Sequence, residues 1–174
     1  MDASRVFLVH FLKKWKYLDF CLPELEALAE MNGVNLANLY HEKTPKEQID
    51  IKKTPFVYVN LPNEEVARRI QGRSILIKEV INVLSEAKNS YEDLVKGVDL
   101  PALQKVLDRK EKFRFFVETI GKKVSSQKQR EVVEMFQGLP FEAPLVDLSN
   151  YTLAYIVLEN ATDGSIFFGE RVAS

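Results

Sequence analysis

The chain has 174 residues, of which 46% are hydrophobic and 28% charged, enough apolar material for one medium core or two small ones and too much for a disordered chain. Its single cysteine, Cys21, excludes an internal disulfide and is typical of a reducing compartment. No basic segment followed by an apolar run marks a signal peptide, and no apolar run approaches the roughly 20 residues of a membrane helix, so we expect a cytoplasmic protein without membrane contact.

The first half of the chain alternates strand and helix patterns. Branched and aromatic residues over 5–12 predict a strand, and the helical spacing after Pro23 predicts a helix that ends at Asn32-Gly33. The next predicted elements are a weak strand over 34–40, a strong strand over 55–61, a helix over 64–71 that is capped by Asn63 and ends at Gly72, and a strand over 74–81. This order predicts a ferredoxin-like domain over residues 1–85.

A new pattern begins near Ser90, which is predicted to cap a short helix that ends at Gly97. The later predicted elements are a helix from Pro101 to about 109, a strand over 112–120, an amphipathic helix from its cap at Ser125 to 137, a brief strand over 145–148, and strands over 152–159 and 165–172 that are joined by an Asp163-Gly164 hairpin turn. The fold class is therefore α+β, with a second α/β domain over residues 86–174 and a junction around 82–90.

The sequence lacks the common motifs of catalysis and metal binding. It has no glycine-rich phosphate loop, and His10, His41 and Cys21 do not have the spacing of metal ligands. His10 lies in an apolar strand and is predicted to be a core or cross-strand histidine, whereas His41 is predicted to be solvated. A Cys–His nucleophile pair has no support around Cys21, and Asp147 is expected to bond backbone amides in a turn. We therefore expect no catalytic residue and no metal.

Charge is unevenly distributed although the net charge is only −1. Residues 19–65 hold nine acids and four lysines, and residues 103–130 hold nine basic side chains and three acids. Such separation is the footprint of a polyanion binder, although ordinary solvated helices also produce charge runs. Basic residues at the ends of elements beside glycine turns or caps can meet a phosphate together with backbone amides. The residues that fit this description are Arg69, Arg73, Lys78, Lys122, Lys123, Lys128 and Arg130.

Aromatic side chains that could stack on unpaired bases are harder to identify in the sequence. Tyr91 and Tyr151 are the candidates, because the phenylalanines at 113, 115 and 116 are predicted to be mostly core.

Several stretches resemble one known family. PFVYVNLPNEEVARRIQGRSILIKEV, at 55–80, and FCLPELEAL, at 20–28, resemble the N-terminal domain of eukaryotic tRNA guanosine-10 N2-methyltransferases. LPFEAPLVDLSNYTLAYIVLEN and the later IFFGERVA resemble the THUMP domain of that family, a small tRNA-binding module. The resemblance covers nearly the whole chain.

The resemblance implies a ferredoxin-like domain and a THUMP domain that together grip the acceptor stem and 3′ end of tRNA. It also implies an S-adenosylmethionine-dependent methyltransferase domain, whose Asn/Asp-Pro-Pro-Tyr motif and cofactor loop are absent from these 174 residues. We therefore expect a fragment that has no methyltransferase activity and binds no cofactor itself. The small zinc-binding activator subunit of the family is expected to dock on the catalytic domain.

The chain departs from the family pattern at three positions. Cys21 stands where arginine is usual, Ala143 replaces glycine in a Pro-Phe-Glu-Gly turn, and Glu170 stands where arginine follows Phe-Gly, although Arg171 comes next and joins the RNA-binding candidates. Two alternatives stay open. The first is a THUMP module of another tRNA-modifying enzyme, such as a thiouridylase or a different base methyltransferase, and the second is a ferredoxin-like protein-interaction scaffold with no RNA role.

Overall fold

The computed structural model describes residues 4–174, which divide into two compact units. The first unit contains the residues up to Asn82 together with Arg171–Ser174, and the second contains Val83–Glu170. Within the described range, no helix is both long enough and apolar enough to cross a bilayer.

The first unit has a central antiparallel strand. Its elements are β1 (Arg5–Phe11), α1 (Cys21–Met31), β2 (Phe56–Leu61), α2 (Glu64–Arg73) and the beginning of β3 (Ile77–Lys88). The strand β1 lies between β2 and β3 and is antiparallel to both, as the ferredoxin-like pattern requires. Because strand side chains alternate between faces, Phe7, Val9 and Phe11 share one face and pack in the core against both helices.

The segment predicted as a weak strand over 34–40 is not a strand, so that prediction was wrong. It forms a 3₁₀ turn over Leu36–Asn38 and a single β-bridge between Tyr40 and Val59. The cause is local, because the Asn35 side chain accepts a hydrogen bond from the Ala37 amide at 3.0 Å and so competes with strand pairing.

The second unit is an α/β arrangement with a parallel strand pair. Its elements are α3 (Tyr91–Lys96), α4 (Leu100–Leu107), β4 (Phe113–Ile120), α5 (Ser126–Glu134), β5 (Leu153–Asn160) and β6 (Ser165–Ala173). The strands β4 and β5 are parallel and joined through α5, whereas β5 and β6 form an antiparallel hairpin. The predicted brief strand over 145–148 was wrong: a 3₁₀ turn over Ala143–Leu145 precedes one bridge from Val146 to Phe113.

The strand order is β2-β1-β3 in the first unit and β6-β5-β4 in the second, so the mixed α and β class is confirmed. The core of the second unit is rich in aromatic side chains. Phe136, in the turn directly after α5, packs on Phe168 of β6 with ring centroids 4.6 Å apart, and Tyr155 of β5 packs on Phe113 of β4 at 5.4 Å. These contacts hold α5 against the sheet.

The predicted caps are confirmed where the structure describes them. Asn63 accepts a hydrogen bond from the amide of Val66, Ser90 from that of Asp93, and Ser125 from that of Lys128, at 3.0 to 3.1 Å. These side chains satisfy amides that a helix start otherwise leaves unpaired.

The hairpin turn between β5 and β6 gives the first prediction. Gly164 has φ +79°, and a Cβ placed on it would lie 1.9 Å from the Asn89 side-chain oxygen. Its carbonyl also accepts the Asn89 amide at 2.8 Å. We expect Gly164→Ala to lower the free energy of unfolding by about 2 kcal/mol, measured by urea denaturation.

The matched control is Gly138→Ala, because a Cβ at Gly138 meets no atom within 4 Å. That variant should stay within about 0.5 kcal/mol of the parent protein. Equal stabilities of the two variants would contradict the proposed strain at Gly164.

Candidate nucleic-acid interface

The eight predicted RNA-binding residues divide equally between the two units. The first unit holds Arg69, Arg73, Lys78 and Arg171, and the second holds Lys122, Lys123, Lys128 and Arg130. Their surroundings differ: the side chains differ in exposure and in whether a carboxylate of the fold already binds them.

The four residues of the second unit lie in one segment, residues 121–130, which comprises the turn after β4 and the first turns of α5 and is called here the β4–α5 connection. The strand β4 ends at Ile120, Gly121 turns the chain with φ +95°, and Ser125 caps α5. All four basic side chains between 122 and 130 are exposed. The connection therefore presents four cations beside the amino end of a helix, where free amides and the helix dipole favour anions.

Two of these lysines meet an aromatic ring and a carboxylate, and we call Tyr91, Lys122, Lys128 and Glu159 the lysine–tyrosine cluster. The Tyr91 hydroxyl donates to Glu159 at 2.7 Å, and the Lys122 ammonium lies 3.8 Å from the same carboxylate. The Lys128 ammonium lies 5.6 Å from the centroid of the Tyr91 ring, within cation–π range. Burial, with the hydrogen bond to Glu159, raises the pKa of Tyr91, so the phenol stays protonated and its ring orientation is held.

The other two cations of the connection are unengaged. Of the residues that the structure describes, none forms an ion pair or side-chain hydrogen bond with Lys123 or Arg130. The one carboxylate of the lysine–tyrosine cluster is already bound by Tyr91 and Lys122. The connection therefore has a net positive charge that a polyanion can neutralise.

In the first unit, Arg69 and Arg73 lie four residues apart on α2 and so share one face of that helix. Arg69 pairs with Glu65 at 2.6 Å, but both side chains are more than half exposed, and such pairs are worth under about 1 kcal/mol. Arg73 is exposed and has no ion-pair partner within residues 4–174. Lys78 lies on β3 and is half-buried.

Arg171 is held by a buried carboxylate. Its Nε lies 3.0 Å from Glu79, and the other Glu79 oxygen lies 2.7 Å from Nδ1 of His10. His10 and Glu79 are directly opposite in the β1–β3 register, so the prediction of a cross-strand histidine is confirmed. Burial acts to raise the pKa of Glu79, but the His10 hydrogen bond and the charges of His10, Arg171 and Lys78 outweigh it and hold that pKa below its usual value.

The remaining predicted polar residues have structural roles. Cys21 is fully buried, and burial together with the charge of Glu24 raises its pKa to about 11, so the thiolate needed for nucleophilic attack is scarce at neutral pH. Asp147 accepts hydrogen bonds from the amides of Ser149 and Asn150 at 3.0 and 2.9 Å, as predicted.

Tyr151, the second predicted stacking residue, lies beside a cation. Its ring centroid is 6.0 Å from the Arg114 guanidinium, which is also 4.7 Å from the ring of Phe116. Reasoning from the sequence overlooked Arg114, and also the exposed aromatic side chains at Trp15, Tyr17 and Phe20. The alternation of lysine and aromatic residues in KKWKYLDF, at 13–20, was the signal that could have found the latter group.

The Glu79 network gives the second prediction. Among the described residues, Arg171→Ala leaves His10 as the only side-chain hydrogen-bond partner of the buried Glu79 carboxylate, so we expect the free energy of unfolding to fall by about 2 kcal/mol or more at neutral pH. Because the folded-state pKa of Glu79 is lowered, its stabilising contribution is present above the unfolded pKa near 4.3 and is lost as the pH falls through the lower folded value. Urea denaturation from neutral pH to below pH 4 should therefore show the deficit shrinking.

Lys123→Ala serves as the control, because its exposed and unpaired side chain should leave stability within about 0.5 kcal/mol. If Arg171→Ala does not lower the free energy of unfolding, or lowers it equally at every pH, the role assigned to Glu79 is contradicted.

Comparison with known proteins points to one family. The family model described as the Tmrp11 THUMP N-terminal domain matches residues 5–167. The tRNA (guanine(10)-N(2))-methyltransferase TRMT11 of Dictyostelium discoideum is 30% identical over a match that covers 96% of this chain and 37% of that protein. The Xenopus laevis protein of the same name is 25% identical, with 89% and 33% covered. The chain thus spans about a third of the length of these curated relatives.

Among solved structures, PH1313 from Pyrococcus horikoshii superposes with a TM-score of 0.54, at 16% identity, over 95% of this chain and 53% of that chain. At this identity the likeness shows the fold alone. The family model and the methyltransferase relatives agree with the resemblance found at 20–28, 55–80 and 139–173. The chain belongs to the Tmrp11 THUMP N-terminal domain family.

Proposed function

We propose that this chain is the tRNA-binding part of the catalytic subunit of a cytoplasmic tRNA (guanine-N2-)-methyltransferase. It grips the acceptor stem and 3′ end of tRNA, and a separate S-adenosylmethionine-dependent domain of the same protein methylates guanosine 10. The observation that carries the proposal is the β4–α5 connection, where four exposed cations and a fixed tyrosine surround a helix start. The reaction is taken from the names of the relatives. Because this chain spans only about a third of their length, we place the catalytic domain in another part of the full-length protein.

The connection suits a phosphate backbone better than a small ligand. Lysine and arginine side chains contact phosphate oxygens, and the first turn of α5 adds backbone amides to the same surface. Lys123 and Arg130 need break no existing ion pair to reach a phosphate. Tyr91 offers a ring at the same place, so a nucleotide next to a bound phosphate has a surface to stack on.

The first unit contributes its own phosphate contacts in this proposal. Arg69 and Arg73 share a face of α2, and Lys78 lies at the start of β3. Arg171 has a supporting role, because its guanidinium is already bound to Glu79. We further propose that residues 1–85 act as a ferredoxin-like domain and 86–174 as a THUMP-like domain, and that the small zinc-binding activator subunit docks on the catalytic domain.

The third prediction tests the RNA site. The purified chain should bind tRNA with an affinity that falls steeply as salt rises, because phosphate contacts release counterions. Lys123→Ala should weaken binding to all tRNAs alike and lower the slope of log affinity against log salt by roughly one unit. Fluorescence anisotropy of labelled tRNA at several salt concentrations measures both quantities.

The matched control is Lys96→Ala in the same unit, an exposed lysine that lies on α3, outside the β4–α5 connection. It should leave the slope unchanged. A double reversal, Arg73→Glu with Lys123→Glu, that keeps the parent affinity and salt dependence would move the site elsewhere. Failure of the parent chain to bind any tRNA would favour the scaffold alternative.

The fourth prediction concerns catalysis. These 174 residues hold neither a cofactor-binding glycine loop nor an Asn/Asp-Pro-Pro-Tyr motif, so the chain alone should not methylate tRNA. The assay measures transfer of a labelled methyl group from S-adenosylmethionine, with a full-length relative as the positive control. Methylation of guanosine by this chain alone would refute the assignment of chemistry to another domain.

A further inference from the structure

A short segment of the first unit exposes three large aromatic side chains within six residues. The segment is the 3₁₀ helix Trp15–Phe20, which follows β1 and leads into α1. The exposed fractions are 69% for Trp15, 50% for Tyr17 and 59% for Phe20. Single exposed apolar residues are ordinary, but three large aromatic side chains exposed within six residues indicate a binding surface.

The backbone of this segment is held in place, so the exposure is a property of the fold. Leu18 is buried in the core of the first unit, and Cys21, the next residue after the segment, is fully buried. The amide of Tyr17 donates to the carbonyl of Lys14 at 2.8 Å. Because a 3₁₀ helix has three residues per turn, Tyr17 and Phe20 lie on the same side of it, whereas Trp15 lies at its first position, one turn before the buried Leu18.

Lysines interleave with the aromatic side chains. Lys13, Lys14 and Lys16 flank Trp15, and the Lys13 ammonium lies 5.6 Å from its ring centroid. Across the described residues, 4–174, no ion pair or side-chain hydrogen bond involves Lys14 or Lys16. The only acid between residues 13 and 20 is Asp19, so the surface is positive.

This chemistry favours single-stranded nucleic acid over a protein partner. Aromatic side chains stack on unpaired bases while neighbouring cations follow the phosphate backbone. Protein interfaces are also rich in aromatic residues, but they are depleted in lysine, and lysine supplies every cation of this segment.

We propose that Trp15, Tyr17 and Phe20 form a stacking site for unpaired nucleotides of RNA, with Lys14 and Lys16 on the adjoining phosphates. This proposal rests on the proposed function, because it takes tRNA as the natural RNA ligand. It goes further by assigning unpaired nucleotides, rather than duplex, to this segment of the first unit.

Trp15 serves as an intrinsic fluorescent probe of this site, because it is the only tryptophan of the chain. Tryptophan emission of the full chain is followed during titration with a short unstructured single-stranded RNA, a duplex of the same sequence and tRNA. We expect saturable quenching by the single strand and by tRNA, and little by the duplex. Tyr17→Ala and Phe20→Ala should each weaken single-strand binding by roughly tenfold.

The double variant Lys14→Ala with Lys16→Ala tests the phosphate contacts. It should lower the salt slope by about 1.4, since each contact to a single strand contributes about 0.7. Met31→Ala is the matched control, because Met31 is 63% exposed on α1 of the same unit and offers no ring. Trp15→Phe removes the signal but keeps a ring, so labelled-RNA anisotropy should show nearly parental affinity.

The outcomes separate this site from the proposed function. If tRNA binds without changing the tryptophan emission, and Tyr17→Ala and Phe20→Ala bind tRNA with parental affinity, the site is overturned and the proposed function stays intact. If the chain does not bind tRNA, but single-stranded RNA quenches its tryptophan emission and the variants lose this quenching, the site is supported and the proposed function is overturned. Tryptophan emission that responds to anionic lipid vesicles but not to single-stranded RNA overturns the site in favour of a membrane surface.

Discussion

The packing of α5 on the sheet of the second unit is the constraint on which the candidate site depends. Val132 and Phe136 are fully buried, and the Phe136 ring lies 4.6 Å from that of Phe168. With the far end of the helix anchored in this way, its amino end and the preceding connection from β4 occupy one defined position. The basic residues between 122 and 130 can therefore be exposed without being disordered, because the apolar face of one short helix fixes them all.

The cations of this chain differ in what already binds them. Arg171 neutralises a nearly inaccessible carboxylate, Glu79, and removing it would leave a buried charge. Arg69 forms a solvent-exposed pair that a phosphate can replace at little cost. Lys123 and Arg130 have no competing partner among the described residues. The binding surface is thus defined less by where basic residues occur than by which carboxylates lie close to them.

A net charge of −1 is compatible with polyanion binding for the same reason. Much of the negative charge is engaged within the fold: Glu24 bonds the backbone at Ile75 and Leu76, and Glu26 bonds Tyr40 and Lys46. Glu159 is shared by Tyr91 and Lys122 in the same way. Local surfaces can therefore stay positive although the whole chain is nearly neutral, because the potential at a surface depends mainly on nearby unpaired charges.

The sequence by itself determined the helix caps at Asn63, Ser90 and Ser125, the Asp163-Gly164 turn and the family, because these depend on residues close together in the chain or on long matched stretches. Tertiary structure decided that 34–40 is not a paired strand, that Arg171 meets Glu79, and that Trp15, Tyr17 and Phe20 face solvent. The physical reason is distance along the chain. A cap joins residues three apart, whereas Arg171 and Glu79 are 92 positions apart, and only the folded chain sets which side chains are buried and which remain free to bind RNA.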